Sequence, residues 1–350
     1  MSRIISFLLL ISIFISTIVV ISFCHWLIVW VAIEVGTFSV IPILFLSNTV
    51  RSVEASLKYF LVNVISAIIL LMGSINILCT SGDWGMGLNS FSISGTSVIV
   101  IALLIKLGVA PFHLWFPEVI QGVGFLQGFL LSTWQKISPL YIMFVVNAEI
   151  KSEMLLIVGV SSVLISGWGG LNQTQTRKIL SFSSIGFMGW LIVSLYYSPS
   201  LCLILFMLYI PVSGVLFFLF YYLNLLSLAG IYKVGYFSWF VFFVICGTIS
   251  LGGLPPFGGF LIKFLPIYII SVNGGYLTLG LLILGTLLSL FYYLRLTFNL
   301  GLLLFPVSVG FLVNYRSSNS IPLSLSILSG WFLSISLFSL LLLGVFWVFV

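Results

Sequence analysis

The sequence predicts an all-α polytopic membrane protein, and its composition and apolar stretches both support this. Of its 350 residues, 61% are hydrophobic and only 5% are charged, whereas a water-soluble domain carries about 25% charged residues. The mean hydropathy is +1.34. Apolar stretches of about 20 residues match the length of a helix that crosses a bilayer, and they lack the alternation of a β-barrel strand. Residues 1–350 are therefore predicted to form a single transmembrane domain.

Hydropathy and turn residues divide the chain into about eleven predicted transmembrane helices. They are residues 4–23, 26–46, 56–79, 94–112, 123–145, 153–171, 177–197, 200–223, 237–265, 275–298 and 323–348. Arg3 before the first apolar stretch resembles the start of a signal peptide. Because that stretch is long and lacks a small-residue cleavage site, a retained first helix is predicted instead.

Basic residues outside the apolar stretches predict the orientation of the chain, since cytoplasmic or matrix loops are enriched in Lys and Arg. If eleven helices alternate in direction, one basic residue, Lys151, falls on the side opposite the N-terminus. The others fall on the N-terminal side: Arg3, Arg51, Lys58, Arg177, Lys178, Lys233, Arg295 and Arg316. The N-terminus is therefore predicted to face the cytoplasm or matrix, and the C-terminus the opposite side.

Two of the predicted helices contain proline and glycine at positions that interrupt a regular helix. The fourth contains Pro111, and the ninth contains Pro255-Pro256 between two pairs of glycines. A proline inside a helix removes a backbone hydrogen bond and clashes with the preceding turn. Paired broken helices are a sequence sign of an ion site in a transporter with an inverted repeat. Approximate repeat halves are predicted at 1–223 and 224–350.

Four ionisable residues lie deep in apolar stretches: Glu34, Lys106, Lys136 and Lys263. Such groups cost about 2.5–3.5 kcal/mol each at the centre of a membrane helix, so they usually face the interior of a helix bundle and serve transport. The alternatives are a static ion pair that uses Glu34 to orient helices, and lysines that extend to the membrane surface, as Lys136 and Lys263 could. We interpret the four residues as a proton-translocating set.

Four other residues have a candidate role. His113 follows the first broken helix and is either a proton relay or a hydrogen-bonded structural histidine. Glu118 follows Pro117, a common arrangement in the first turn of a helix. Glu54 and Lys58 are four residues apart, which predicts a stabilising ion pair on a helix surface.

The sequence gives no sign of a bound cofactor or metal ion. The four cysteines are widely separated and form no C-x-x-C motif, so zinc, haem and iron–sulfur sites are not predicted. No Walker A or dinucleotide-binding glycine motif occurs. Because the basic residues are scattered, no nucleic-acid surface is predicted either.

Four stretches carry distinctive motifs, namely KLGVAPFHLWFPEVIQG (106–122), STWQKISPL (132–140), GGLNQTQTRKILSFSSIGFMGW (169–190) and SLGGLPPFGGFLIKF (250–264). Together they resemble the NADH dehydrogenase subunit 2 family of mitochondrial respiratory complex I. The resemblance extends from VEASLKYF (53–60) to YYLRLTF (292–298). Length and helix number resemble the animal form, which lacks three leading helices of bacterial members.

The resemblance implies a core membrane-arm subunit of the proton-translocating NADH:ubiquinone oxidoreductase, with an antiporter-like inverted repeat that forms one proton channel. Glu34 and Lys106 would be the acid–lysine pair, Lys136 the central relay and Lys263 the lysine of the second half-channel. The subunit would contain no redox site, and NAD, FMN, iron–sulfur clusters and ubiquinone would bind elsewhere in the complex.

The resemblance also implies a location in the mitochondrial inner membrane, with the N-terminus in the matrix and the C-terminus on the intermembrane-space side. The expected partners are other membrane-arm subunits and lipids, among them cardiolipin, and no nucleic acid. The chain departs from the family at Phe187, where many relatives have histidine, and at Phe264, where tryptophan is frequent. Two alternatives stay open: a free-standing cation/proton antiporter, and a structural helix bundle that does not conduct.

Overall fold

The computed structural model describes residues 3–47, 49–86, 93–147, 153–228, 238–255, 257–301 and 330. Its longer helices are α1 (Arg3–Ser22), α2 (Trp26–Leu44), α3 (Val50–Ser81), α8 (Glu153–Leu171), α9 (Thr176–Tyr197), α10 (Pro199–Tyr222) and α13 (Tyr276–Gly301). The shorter ones are α4 (Ile93–Leu107), α5 (Trp115–Gly122), α6 (Phe125–Ser132), α7 (Ile137–Asn147), α11 (Ser238–Gly252) and α12 (Gly259–Val272).

The all-α membrane fold predicted from the sequence is confirmed. Within the described ranges, eight helical segments are long and apolar enough to cross a membrane, and three shorter apolar helices accompany them. Each of the first ten predicted spans contains helix. Apart from Gly330, the eleventh predicted span, 323–348, lies outside the described residues, as do Lys151, Lys233 and Arg316.

The chain forms two compact units, Met1–Ser161 and Ser162–Val350. In the first unit, helices approach closely where one of them carries a glycine. A side chain at Gly36 of α2 would meet the Ser16 hydroxyl of α1 at 2.8 Å, and one at Gly73 of α3 would meet Ile99 of α4 at 2.6 Å. Small residues at such contacts are typical of membrane helices, which associate through close packing.

The second unit uses the same kind of packing between α8, α9 and α13. A side chain at Gly186 of α9 would lie 2.5 Å from the Ser166 hydroxyl of α8, and one at Gly285 of α13 would lie 2.6 Å from Val163. Gly170 faces the ring of Tyr292 at a similarly short distance. These contacts bring polar side chains of three helices into the interior of this unit.

The first predicted break is confirmed between α4 and α5. Gly108 has a φ of +66° and ends α4 in the left-handed region that favours glycine. Its N–H donates to the carbonyl of Ile105, and the N–H of Val109 donates to the carbonyl of Leu104. This pair of hydrogen bonds is a Schellman motif, and it places Lys106 in the last turn of the half-helix.

The second predicted break, between α11 and α12, has the same hydrogen-bond pattern. Gly253 has a φ of +81°, its N–H donates to Ser250, and the N–H of Leu254 donates to Ile249. Gly259 begins α12 directly against the backbone of Ser250. The pattern G-x-x-P-F is also common to both breaks, at 108–112 and 253–257.

A third interruption was not predicted from the sequence. The predicted continuous helix 123–145 is instead α6 and α7 joined by a 3₁₀ turn over Trp134–Lys136. Pro139 accounts for part of this, because it has no N–H to donate to the carbonyl of Gln135. Thr133 also turns its hydroxyl back to the Phe129 carbonyl, at 2.7 Å. Lys136 therefore lies at a helix interruption rather than in a regular helix.

The geometry of the second break predicts the effect of replacing Gly253 with alanine. The left-handed φ costs an L-residue about 1–2 kcal/mol, and the new Cβ would lie 2.7 Å from Cδ of Lys263. We expect Gly253→Ala to lower the thermal unfolding midpoint of the purified protein more than Gly82→Ala does. Gly82 is the matched control, since it has a φ of +80° with nothing within 4 Å. Equal effects of the two substitutions would contradict the predicted collision with Lys263.

Candidate functional site

The first unit encloses a cavity whose wall includes two of the predicted lysines, Lys106 and Lys136. Polar side chains of Tyr59, Asn63 and Gln135 also contribute to the wall. The cavity volume is about 30 Å³, which is enough for one or two water molecules if polar partners surround them. The fold therefore brings a lysine at a broken helix and a lysine at a 3₁₀ turn to the same polar cavity.

Both ammonium groups of this cavity are buried without a hydrogen-bond partner in the protein. Lys106 is 8% exposed and Lys136 is 2% exposed, and Nζ of each lacks a partner. Buried polar groups are almost always satisfied by protein or by ordered water. The adjoining cavity is the place from which water can satisfy them.

The short helix α5 supports both lysines from one side. Nζ of Lys136 lies 4.4 Å from the centre of the Phe116 ring, a cation–π contact. The indole N–H of Trp115 donates to the carbonyl of Ile105 at 3.2 Å, which satisfies a carbonyl in the last turn of α4. Because α4 ends after Lys106, the chain can turn back as α5. The aromatic side chains of Trp115 and Phe116 then lie beside the two lysines.

Glu34 lies on α2 and interacts electrostatically with Lys106 without contacting it directly. The attraction acts on both side chains, yet Oε1 of Glu34 and Nζ of Lys106 each lack a hydrogen-bond partner. Glu34 also interacts electrostatically with the buried Tyr59. The side chains of the predicted acid–lysine pair are therefore not joined by a direct salt bridge in this structure.

His113 lies in the turn between α4 and α5 and is not part of the wall of this cavity. Its carbonyl accepts the N–H of Phe116 at 3.1 Å. Its Nδ1 is buried and has no hydrogen-bond partner. The structure therefore does not place His113 in the cavity wall that Lys106 and Lys136 share, and a relay through its side chain stays a prediction.

The second unit contains a cavity of about 50 Å³, and Lys263 is in its wall. Nζ of Lys263 donates to the carbonyl of Gly252 at 2.6 Å. Gly252 is the last residue of α11, where the helix leaves unpaired carbonyls and a partial negative charge. Lys263 therefore caps the broken end of α11, whereas Lys106 lies in the last turn of α4 itself and its Nζ binds no helix-end carbonyl.

The rest of this second cavity is rich in hydroxyl groups and aromatic rings. Its wall includes the buried tyrosines Tyr209, Tyr292 and Tyr293 together with Ser183. Phe187 stacks on Tyr209 with ring centres 3.8 Å apart and planes 10° apart. Phe187, which the sequence resemblance singled out, thus lies in the wall of the Lys263 cavity.

A surface ion cluster in the first unit was only partly predicted. Lys58 contacts Glu54 at 2.6 Å, as the four-residue spacing predicts, and it also contacts Glu118 of α5 at 2.7 Å. Glu118 was interpreted from the sequence as a helix-start residue. The contact across 60 positions of the chain could not be read from local spacing, and it joins α5 to the first turns of α3.

Within the described ranges no group of three or more His, Cys, Asp or Glu side chains is arranged to hold a metal ion. Buried lysines border two small cavities, and two half-helices end within predicted apolar spans. These features define the class of the protein, a helical membrane protein of the ion-translocating type.

The comparison with known families identifies the family within that class. Residues 24–289 match the family described as NADH:quinone oxidoreductase/Mrp antiporter, TM, and the chain belongs to it. The NADH-ubiquinone oxidoreductase chain 2 of Patiria pectinifera is 41% identical over 91% of this chain and 90% of its own length. The chain 2 protein of Pisaster ochraceus is 40% identical over 99% of both.

Two solved structures have the same fold at lower sequence identity. A chain of respiratory complex I from Thermus thermophilus has a TM-score of 0.84 and 22% identity, over 98% of this chain and 79% of that one. A chain of the Mrp complex from Dietzia sp. has a TM-score of 0.73 and 19% identity, over 82% and 59% respectively. These matches confirm the antiporter-like fold predicted from the sequence.

The stacking of Phe187 on Tyr209 predicts how the second cavity tolerates substitution. Phe187→His keeps a planar ring in the stack, so we expect the variant to accumulate at close to the wild-type level. Phe187→Ala removes the ring and should destabilise the protein by about 3–5 kcal/mol. Immunoblotting of membranes and thermal unfolding of the purified protein would measure both. Equal losses in the two variants would show that the planar ring is not what this site requires.

Proposed function

We propose that this chain is the chain 2 membrane subunit of a proton-translocating NADH:ubiquinone oxidoreductase, and that it provides one antiporter-like proton channel. The observation that carries the proposal is the pair of buried Nζ atoms, of Lys106 and Lys136, which lack a protein partner and lie on the same polar cavity. The names of its relatives favour this function over a free-standing antiporter.

In the first unit, the proposed route uses Glu34, Lys106 and Lys136. A change in the distance between Glu34 and Lys106 would alter the local potential, because unscreened charges interact strongly in a medium of low dielectric constant. Since Lys136 borders the same cavity as Lys106, the change would alter how readily Lys136 holds a proton. Water in the cavity would transfer that proton. His113 would be a relay only at the edge of this route.

In the second unit, Lys263 would be the proton-carrying group. Its hydrogen bond to Gly252 fixes one side of the ammonium group, and the cavity wall leaves space for water on another side. The energy would come from quinone reduction elsewhere in the complex. We infer that this chain contributes proton transfer, and that NAD, FMN, iron–sulfur clusters and ubiquinone bind other subunits.

The proposal includes an environment for the chain. It would lie in the mitochondrial inner membrane beside other membrane-arm subunits, with lipids such as cardiolipin at its surface. The distribution of basic residues in the sequence supports an N-terminus on the matrix side and a C-terminus on the intermembrane-space side. The shared hydrogen-bond pattern of the two breaks supports an inverted repeat with approximate halves 1–223 and 224–350.

The proposed relay predicts the effect of removing the charge of Lys136. Lys136→Met should lower the number of protons moved per NADH oxidised, because the cavity would lose its central proton-carrying group. The measurement is proton uptake by sealed vesicles that contain the assembled complex. Lys58→Met is the matched control, since Lys58 lies in the surface ion cluster. An unchanged ratio in Lys136→Met would contradict the proposed channel.

The proposed coupling between Glu34 and Lys106 predicts a similar result for Glu34→Gln. The amide keeps the size of the side chain but removes the negative charge that attracts Lys106. We expect fewer protons per NADH together with normal assembly on native electrophoresis. The same change at Glu153, which is exposed at the start of α8, should leave the ratio unchanged. If both variants pump normally, the charge of Glu34 has no role in coupling.

A further inference from the structure

Lys136 and Phe116 form a buried contact whose chemical role the proposed channel leaves open. Nζ of Lys136 lies 4.4 Å from the centre of the Phe116 ring, and the two residues are 2% and 1% exposed. Among the described residues, Nζ of Lys136 has neither a hydrogen-bond partner nor an ion-pair partner. The face of the ring therefore supplies negative potential to an ammonium group that no described carboxylate contacts.

The attraction between the ring and the lysine depends on whether the lysine is protonated. A cation above an aromatic face is attracted by the negative potential of the ring, most strongly where water is excluded. The neutral amine has no such charge, so the contact stabilises the ammonium form over the amine. A phenyl ring, unlike a carboxylate, cannot take up a proton. Because both residues are in the wall of the cavity, a proton that leaves Nζ can pass to water there.

The Phe116 ring is held in place by the broken end of α4. The Trp115 ring lies edge-on to it, with centres 5.5 Å apart and planes 88° apart, and the Trp115 indole N–H donates to the carbonyl of Ile105. A Cβ at Gly108 would lie 3.3 Å from Cβ of Phe116, so the glycine lets the start of α5 pack closely against the end of α4. The orientation of the ring toward Lys136 thus depends on the break that ends α4.

Other groups that change charge with pH also act at this cavity. Lys106 of α4 and Tyr59 of α3 are in its wall, and Glu34 of α2 interacts electrostatically with both. From the described α1, α5 and α7 the wall receives aromatic rings and hydroxyl groups but no titratable side chain; the hydroxyl groups are those of Ser16, Thr17 and Ser138. Substitutions of the Phe116 ring leave all these groups in place, so they isolate the contribution of the ring.

We propose that Phe116 is a positioning residue for proton transfer at Lys136, because its ring face favours the ammonium form and holds Nζ at the cavity without a carboxylate. In the proposed channel, Lys136 has to be protonated before it can pass a proton on. Without the ring, pumping should therefore be lost at a lower pH. This inference rests on the proposed function of the chain and adds an uncharged residue to its first half.

The test is the pH profile of proton translocation by the assembled complex in sealed vesicles, expressed as protons moved per NADH oxidised. Phe116→Leu removes the ring but keeps an apolar side chain. As the pH is raised, we expect the ratio to fall at a pH about one unit lower than in the wild type, since a desolvated cation–π contact changes proton affinity roughly tenfold. Phe116→Tyr keeps the ring face and should have the wild-type profile. Phe112→Leu is the matched control, since Phe112 is 39% exposed and outside the cavity wall.

The outcomes separate the role of the ring from the function on which it rests. The inference is wrong if Phe116→Leu keeps the wild-type profile, if it lowers the ratio equally at every pH, or if Phe116→Tyr shifts the profile as far. If Lys136→Met pumps normally at every pH, the proposed channel itself is wrong, and the role of Phe116 with it. Should Phe116→Leu fail to assemble, Phe116→Met takes its place with the same expectation, because the flexible methionine side chain fills irregular space in a core.

Discussion

The charge of a lysine inside a membrane is the constraint on which the other features of this structure depend. A buried ammonium group needs either a partial negative charge or water nearby, since lipid supplies neither. One of the lysines obtains the first at the broken end of a helix, since Nζ of Lys263 donates to the terminal carbonyl of α11. Lys106 lies in the last turn of α4, but its Nζ has no hydrogen-bond partner in the protein, so it depends on water in the adjoining cavity. Because a continuous helix presents no free carbonyls at membrane depth, the second break is what makes the position of Lys263 tolerable.

The same breaks also create the cavities. In the first unit, the chain that follows Gly108 returns as α5 and places aromatic side chains over the site, including Phe116 beneath Lys136. In the second unit, Gly253 has no side chain and so leaves space for Lys263. A Cβ at position 253 would contact the Lys263 side chain. At the second break, glycine, proline and lysine therefore act together: Gly253 allows the turn, Pro255 prevents the helix from continuing, and Lys263 donates to the terminal carbonyl of α11.

The helices and the two breaks near glycine and proline could be predicted from the sequence, because the sequence patterns that indicate them are local. Apolar length located the helices, and the glycine–proline pattern located the breaks near Pro111 and Pro255. The interruption before Lys136 was missed because Thr133 and Pro139 are individually tolerated in membrane helices. The contact between Glu118 and Lys58, and the tyrosine cluster around Lys263, depend on packing between helices distant in sequence. Periodicity carries no information about such contacts, although Tyr292-Tyr293 inside an apolar stretch was a signal that could have been followed.

The central claim is that the buried lysines carry protons through water that occupies the two cavities. The most direct measurement is a high-resolution cryo-EM map of the assembled complex that resolves ordered water. The account predicts water molecules within hydrogen-bond distance of Nζ of Lys136 and of Lys263, each connected to further polar groups of its cavity. Dry cavities, with the ammonium groups satisfied by protein atoms alone, would contradict it.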